Sequence, residues 1–305
     1  MTTTLRLSRE GQDRARRFLM EAARPLERAL YRHEFEGQPP DAALDALAHY
    51  RNADGGYGHG LEPDSTTPAS SVLNTTVALQ TLRHIEVPGE HPLVRGALRY
   101  LLDQYDLQHG MWSLMPPAVD DAPHAPWLAY DPDWTRSTVN PTAEAIGHLL
   151  TYGALDICRC VDVLGVALSH IQAAREPIEM HELLCVLRLA DTPGLPEVPA
   201  RALAERLAGD IPQVVATDPA AWRQYGLEPL AIAPSPDAAY HDMLAEHIPT
   251  NLDDRIAQQG DDGAWWPTWS WGDAHPKHWV TACQAWKGVI TIETLIVLRN
   301  YGRLA

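Results

Sequence analysis

The sequence is poor in basic residues, and lysine is the scarcest of them. Lys277 and Lys287 are its only lysines, and the formal net charge is −16. An acidic surface repels nucleic acids and anionic lipid headgroups, so neither is expected as a partner. No stretch approaches the roughly 18 consecutive apolar residues of a membrane span. The first twenty residues lack the apolar core of a signal peptide, so we expect a cytoplasmic protein.

Cysteine is also scarce, and its four copies have no recognisable spacing. Cys158, Cys160, Cys185 and Cys283 match neither a metal-site pattern nor a disulfide framework. We therefore expect reduced, mostly buried thiols and no cofactor or resident metal.

Alternating apolar and polar runs between turn signals are absent, which argues against a β-sheet. Apolar residues recur instead at helical spacing in about a dozen segments. The first of these, residues 8–35, opens with a serine cap and is expected to be helical throughout. These patterns predict an all-α protein of one domain, residues 1–305.

A short turn motif recurs between the helical segments. A glycine, one further residue and an aromatic residue occur at 55–57, 110–112 and 263–265. The aromatics Tyr57, Trp112 and Trp265 are 55 and 153 residues apart, and 153 is three times 51. A period near 51 predicts roughly six stacked helical hairpins in this length of chain. Glycine would supply the positive φ at the end of a helix, and the aromatic ring would pack between neighbouring helices.

At these turns the sequence resembles a known superfamily. "QGDDGAWW" and "QYDLQHGMW" resemble the Gln–Gly–Trp repeat of triterpene cyclases, and "DGGYGHGLEPDSTTPASSVLNTTVALQTL" is similar to a repeat of protein prenyltransferase β-subunits. The resemblance covers about 45–115 and 250–300 and is poor between them. It implies an α/α toroid (barrel), in which outer helices surround inner helices and a central funnel.

In these related families, the loop after each turn leads into an inner helix at the funnel. By this resemblance, the loops at 57–66, 113–140 and 264–280 would line a site. Acids that precede helices are often simple N-terminal caps, which is the alternative for each one. The catalytic candidates are Glu62, Asp64, Asp131, Asp133 and Asp273. The substrate-binding candidates are Tyr57, His59, His124, Trp127, Trp269, Trp271, His275 and His278.

Six of the ten tryptophans lie between residues 265 and 286, where proline and serine favour a loop wall. Indole faces stabilise cations, including carbocations, and also stack on sugar rings. Together with the resemblance, these tryptophans suggest that this chain is a terpenoid-cyclase-like protein. We expect it to act on or bind a lipophilic, isoprenoid molecule, with a carboxylic acid as the proton donor.

The sequence departs from the resembling families in ways that keep other functions open. The Asp-x-Asp-Asp acid motif of the cyclases is missing, and "DPDW" at 131–134 is its nearest match. The Asp-x-Cys zinc motif of prenyltransferases is also missing, although His275, His278 and Cys283 are zinc-capable types. A glycan-active barrel with paired carboxylates and a non-catalytic binder of hydrophobic ligands remain as alternatives. The sequence leaves the oligomeric state open.

Overall fold

The computed structural model describes residues 4–155 and 157–305, without side chains for 157–160. Its regular elements in that part of the chain are all helical, and β-pairing is confined to isolated bridges. The prediction of an all-α protein is therefore confirmed. The helices are α1 (Arg9–Ala22), α2 (Pro25–Glu36), α3 (Asp41–Ala48), α4 (Val72–His84), α5 (Pro92–Asp103), α6 (Trp134–Ser137), α7 (Thr142–Thr151), α8 (Ile157–Ala173), α9 (Met180–Ala190), α10 (Glu197–Val214), α11 (Pro229–Ile232), α12 (His241–Leu244), α13 (Ile248–Ala257) and α14 (Pro276–Asn300).

The helices form two compact units. The first comprises Met1–Leu47 and Val215–Ala305, and the second comprises Ala48–Val214. In the first unit α14 packs against α1 and α2, while α11 packs against α13. In the second unit α7 packs against α4, α8 and α9, and α10 packs against α8 and α9. The sequence prediction of one domain over 1–305 stays a prediction.

The first helical segment is divided in two, which corrects the expectation of one helix over 8–35. Ser8 caps α1 as predicted, because its hydroxyl accepts a hydrogen bond from the Gly11 amide at 3.1 Å. The chain leaves the helix at Ala23, and α2 starts anew at Pro25. Proline lacks an amide hydrogen and suits the first turn of a helix, so it marks the start of α2.

The three predicted glycine turns share one backbone geometry. Gly55, Gly110 and Gly263 have φ values of +91°, +71° and +87°. In each turn the carbonyl before the aromatic accepts a hydrogen bond from a preceding amide, as when the Asn52 amide donates to the Gly56 carbonyl at 2.9 Å. Positive φ is adopted readily only by glycine, which explains why this residue recurs at each position.

The aromatic residue of each turn is buried and fixed by a distant threonine. Tyr57, Trp112 and Trp265 are at most 1% exposed. Their amides donate to the hydroxyls of Thr75, Thr142 and Thr291 at 3.0–3.1 Å. Each threonine lies on the long helix that follows the turn, so the contact ties the end of one helix to the next. The two indoles also donate to carbonyls near the end of the preceding helix, at 2.6 Å.

The turns also approach neighbouring helices closely. A Cβ on Gly55 would lie 2.6 Å from the Gly96 carbonyl oxygen of α5, and one on Gly263 would lie 2.4 Å from the Arg14 carbonyl oxygen of α1. Gln259 fastens the third turn, because its amide donates to the Gly11 carbonyl at 2.8 Å and the Gly263 carbonyl at 3.0 Å. A side chain at Gly55 or Gly263 would therefore push the turn away from the neighbouring helix.

The second loop contains more structure than the sequence suggested. The predicted loop at 113–140 contains α6 and two 3₁₀ turns, at Pro117–Asp121 and Pro126–Leu128. Each 3₁₀ turn opens with proline, whose fixed φ suits the first position of a tight helical turn.

α14 is, within the described part of the chain, the one helix long and apolar enough to cross a membrane by length and composition. Half of its apolar window is buried inside the protein. Its Lys287 is 7% exposed and pairs with Asp262. A core helix of a folded unit passes the same test of length and composition.

Candidate functional site

Two of the predicted loops meet in the second unit. The amide and the hydroxyl of Thr66 both donate to the Pro123 carbonyl, at 2.9 and 2.8 Å. The Ala125 amide donates to the Asp64 carbonyl at 2.7 Å. A β-bridge joins Ser65 to His124. Hydrogen bonds therefore join the loop after the first turn to the loop after the second turn. They bring the backbones of Asp64 and His124 close together.

The five predicted acids lie in contrasting environments. Asp64 is 5% exposed and Glu62 is half-buried, whereas the other three are exposed. Asp133 pairs with Arg136 at 2.9 Å, and Asp131 accepts the Asp133 amide at 2.8 Å in a local turn. Asp273 lies on the surface of the first unit. Of the five, only Asp64 is largely removed from water.

The predicted histidines are occupied by local contacts or lie at the surface. His59 has a left-handed φ of +57°, and its ring nitrogen hydrogen-bonds Asn52 at 2.8 Å. The Nδ1 atom of His124 hydrogen-bonds the Ala122 carbonyl at 2.7 Å. His275, with φ of +46°, and His278 are exposed at the start of α14, with ring centroids 6.1 Å apart.

The predicted aromatic contacts fall into two groups. Tyr57 and Trp271 are at most 2% exposed, so the structure gives both a packing role, and their roles in substrate binding stay predictions. Burial raises the pKa of the Tyr57 phenol, whose oxygen is buried without a hydrogen-bond partner. Trp127 is 45% exposed on the second loop. Trp269 is half-buried and makes tilted and edge-to-face contacts with other aromatic rings.

Trp269 belongs to a three-ring cluster that we call the aromatic wall, formed by Tyr225, Trp269 and Trp286. The Trp269 centroid lies 5.3 Å from the ring of Tyr225 and 5.0 Å from that of Trp286. Tyr225 is 51% exposed, and both indoles are half-buried. The wall therefore presents aromatic surface to solvent within the first unit. Tyr225 was missed by sequence reasoning because it lies far from the tryptophan-rich segment.

A buried charged network in the second unit was also missed. Glu144 on α7 is 3% exposed and binds Arg188 of α9 at 3.0 Å, Gln80 of α4 at 2.6 Å and His148 at 3.2 Å. Burial alone would raise the pKa of Glu144, but the Arg188 charge and the hydrogen bonds from His148 and Gln80 lower it to about 2. Burial raises the pKa of the adjacent Cys185 thiol. The network ties three helices together through one ionised carboxylate.

Among the described residues, no cluster of three or more His, Cys, Asp or Glu side chains is placed to hold a metal ion. Cys185 and Cys283 are free thiols, and the side chains of Cys158 and Cys160 lie outside the described part of the chain.

Comparison with known proteins supplies a fold and no function. No protein-family model matches the chain, and no curated protein matches it significantly. The chain is similar to the crystal structure of a protein from Actinoplanes, with a TM-score of 0.56 and 17% sequence identity. The similarity covers 96% of this chain and 99% of the other. At this identity it shows a shared fold alone.

Proposed function

We propose that the chain is an α/α toroid of the terpenoid cyclase and prenyltransferase type that binds a lipophilic, isoprenoid-like small molecule. The six hairpins would pair outer helices α1, α3, α5, α8, α10 and α13 with inner helices α2, α4, α7, α9, α11 and α14. The glycine turns support this order. The turn after α3 packs on α5, the turn after α5 packs on α8, and the turn after α13 packs on α1. Each turn would thus contact the next outer helix, as a closed ring requires.

The observation that carries the function is the aromatic wall. Large rings with exposed faces suit a ligand that is apolar along its length, because burial of apolar area drives such binding. The ring faces would also stabilise a positive charge that develops on an isoprenoid chain. The wall is built from tryptophan and tyrosine, as expected from a sequence with two phenylalanines.

Asp64 is our candidate for the proton donor. A carboxylic acid that protonates an alkene must stay protonated, which requires an environment with little water. The burial of Asp64 supports that role, and Glu62 precedes it on the same loop. The exposure of Asp131, Asp133 and Asp273 favours solvated carboxylates at those three positions.

The wall can be tested by direct binding. An isoprenoid alcohol such as farnesol should quench tryptophan fluorescence in the unmodified protein. Trp269→Ala should weaken this binding about tenfold, because it removes the central ring of the wall. Trp266→Phe is the matched control, since Trp266 is 56% exposed and its ring stacks on Lys287. Stronger binding of a soluble oligosaccharide than of farnesol would favour the glycan-active alternative.

A non-catalytic binder is the second candidate, favoured by the exposed setting of the other acids. Asp131 and Asp133 are engaged in local hydrogen bonds and an ion pair, as capping and turn residues are. Incubation with isoprenoid substrates, followed by mass spectrometry of the products, separates the two candidates. Turnover that is lost in Asp64→Asn while farnesol binding is retained would support the enzyme, and binding without any product would support the binder.

A further inference from the structure

An open groove on the second unit is lined by three arginines. Its volume is about 300 Å³, and its lining comprises Arg51, Glu90, Pro92, Arg95, Gly96 and Arg99. Arg95 and Arg99 are four residues apart on α5, so they project from one face of that helix. Arg51 comes from the segment just before the first glycine turn. Three cations and one anion therefore surround a groove on a protein of net charge −16.

The three arginines differ from most others in lacking an acidic partner. Within the described residues, none of the three forms an ion pair, whereas Arg206, Arg223 and Arg255 each contact a carboxylate within 2.6 Å. Acidic residues outnumber basic ones by 40 to 24, so partners are plentiful in this sequence. Clustered, unpaired guanidinium groups repel one another, and a bound anion would remove that repulsion.

Gly96 allows Arg51 to reach this position. A Cβ on Gly96 would lie 2.6 Å from Nη2 and 3.0 Å from Nε of Arg51. The guanidinium group therefore lies directly against the α5 backbone at Gly96, next to Arg95 in the chain. A side chain at residue 96 would displace it.

We infer that the groove binds a small phosphate-bearing anion of the pyrophosphate class. Guanidinium groups form paired hydrogen bonds with phosphate oxygens, and two linked phosphates offer enough oxygens for three such groups. The groove begins at the N-terminal turn of the twelve-residue helix α5, whose dipole also favours an anion. Its volume exceeds what a single phosphate fills, which leaves room for an ester substituent. The inference is independent of the lipophilic ligand proposed above.

Isothermal titration calorimetry of the unmodified protein with sodium pyrophosphate, at neutral pH and low salt, tests the site. We expect a dissociation constant of about 1 mM or lower. Inorganic phosphate should bind more weakly because it engages fewer guanidinium groups. Arg95→Gln and Arg99→Gln should each weaken pyrophosphate binding about tenfold, since each removes a charge-assisted hydrogen-bonding partner.

Two further variants make the test specific. Arg51→Lys keeps the charge but loses the planar fork, so a partial loss of affinity is expected. Arg201→Gln is the matched control, because Arg201 is exposed on α10 of the same unit and has no ion pair in the described structure. Binding should be unchanged in this control, and thermal melts should show that all variants fold.

The inference fails if pyrophosphate gives no heat in the millimolar range or if Arg201→Gln weakens binding as much as Arg95→Gln. A second probe separates a small ligand from a membrane surface. Vesicles of phosphatidylserine should not bind, or should be displaced by free pyrophosphate. Vesicle binding that pyrophosphate does not displace would overturn the small-ligand assignment.

Discussion

At the residue scale, two adjacent tryptophans have opposite environments. Trp265 is 1% exposed and donates its indole hydrogen to the Arg255 carbonyl, whereas Trp266 is 56% exposed. Trp265→Ala should lower the free energy of unfolding by about 3–5 kcal/mol, because it leaves a large cavity in the core. Urea denaturation measures the difference. Trp266→Ala should cost clearly less, and an equal loss in both would show that Trp265 is not a core residue.

The ionised state of Glu144 gives a second prediction, for the dependence of stability on pH. Its pKa is about 2 in the folded protein and about 4.5 as an ordinary carboxyl. A group with a lowered pKa stabilises the fold above its unfolded-state value, and that stability disappears as pH falls toward the folded-state value. The contribution is on the order of 3 kcal/mol. The difference in unfolding free energy between the unmodified protein and Glu144→Gln should therefore shrink between pH 4.5 and about 2.

Glu205 supplies the control for this prediction. It is exposed on α10, so the Glu205→Gln difference should be small throughout the same range. A Glu144→Gln difference that is equally small at neutral pH would mean that the three-helix network contributes nothing to stability. The network would then fix the relative positions of the three helices without stabilising the fold.

At the element scale, the threonine contacts with the turns provide a third prediction. Thr75, Thr142 and Thr291 each accept the amide of a buried aromatic residue. Valine has nearly the same shape but no acceptor, so each Thr→Val change should cost about 1–3 kcal/mol, the penalty for an unpaired buried amide. Thr81→Val is the matched control, because the Thr81 hydroxyl donates a hydrogen bond to the Val77 carbonyl of its own helix. A similar loss of unfolding free energy in all four variants would show that the hydrogen bond to the turn contributes no more than one within a helix.

The turns also show how far the sequence could predict this fold. The positive φ of Gly55, Gly110 and Gly263 and the burial of the three aromatics were predictable, because local backbone geometry restricts each position to few residue types. The threonine partners were not predictable, since they lie 18, 30 and 26 residues from their aromatics and no fixed spacing reveals them. Contacts set by helix packing leave no periodic signal in one sequence.

The candidate site was predictable only in part, for the same reason. Sequence position correctly placed the acids on loops after the turns, but it did not distinguish the buried Asp64 from the exposed Asp133. Depth depends on which other loop covers a residue, and the loop that covers Asp64 comes from about sixty residues later in the chain, at Pro123–Ala125. Glu144 was missed because its partners come from three separate helices.

At the scale of the whole molecule, the two ends of the described chain meet in the first unit. The Leu7 amide donates to the Arg303 carbonyl at 2.7 Å, and the Ala305 amide donates to the Leu7 carbonyl at 3.1 Å. Arg303 is 7% exposed and binds the Leu5 carbonyl and Asp253, both at 2.6 Å. We call these contacts of Leu5 and Leu7 with Arg303 and Ala305 the clasp. In the proposed ring of hairpins, the clasp would join the last hairpin to the first.

A circular permutant tests whether the clasp can take the place of a covalent connection between two neighbouring hairpins. A short Gly/Ser linker would join Ala305 to Thr4, and the chain would be opened between Pro193 and Gly194, in the exposed turn that separates α9 from α10. Because every hairpin keeps its neighbours, the helical circular dichroism should be retained and the melting temperature should fall by less than about 5 °C. Opening the chain between Ala145 and Ile146 is the control, since both are fully buried within α7 and that permutant should not fold. If the Pro193 permutant also fails to fold, while the unmodified protein folds reversibly, the clasp cannot substitute for a covalent connection and the ring of equivalent hairpins is wrong.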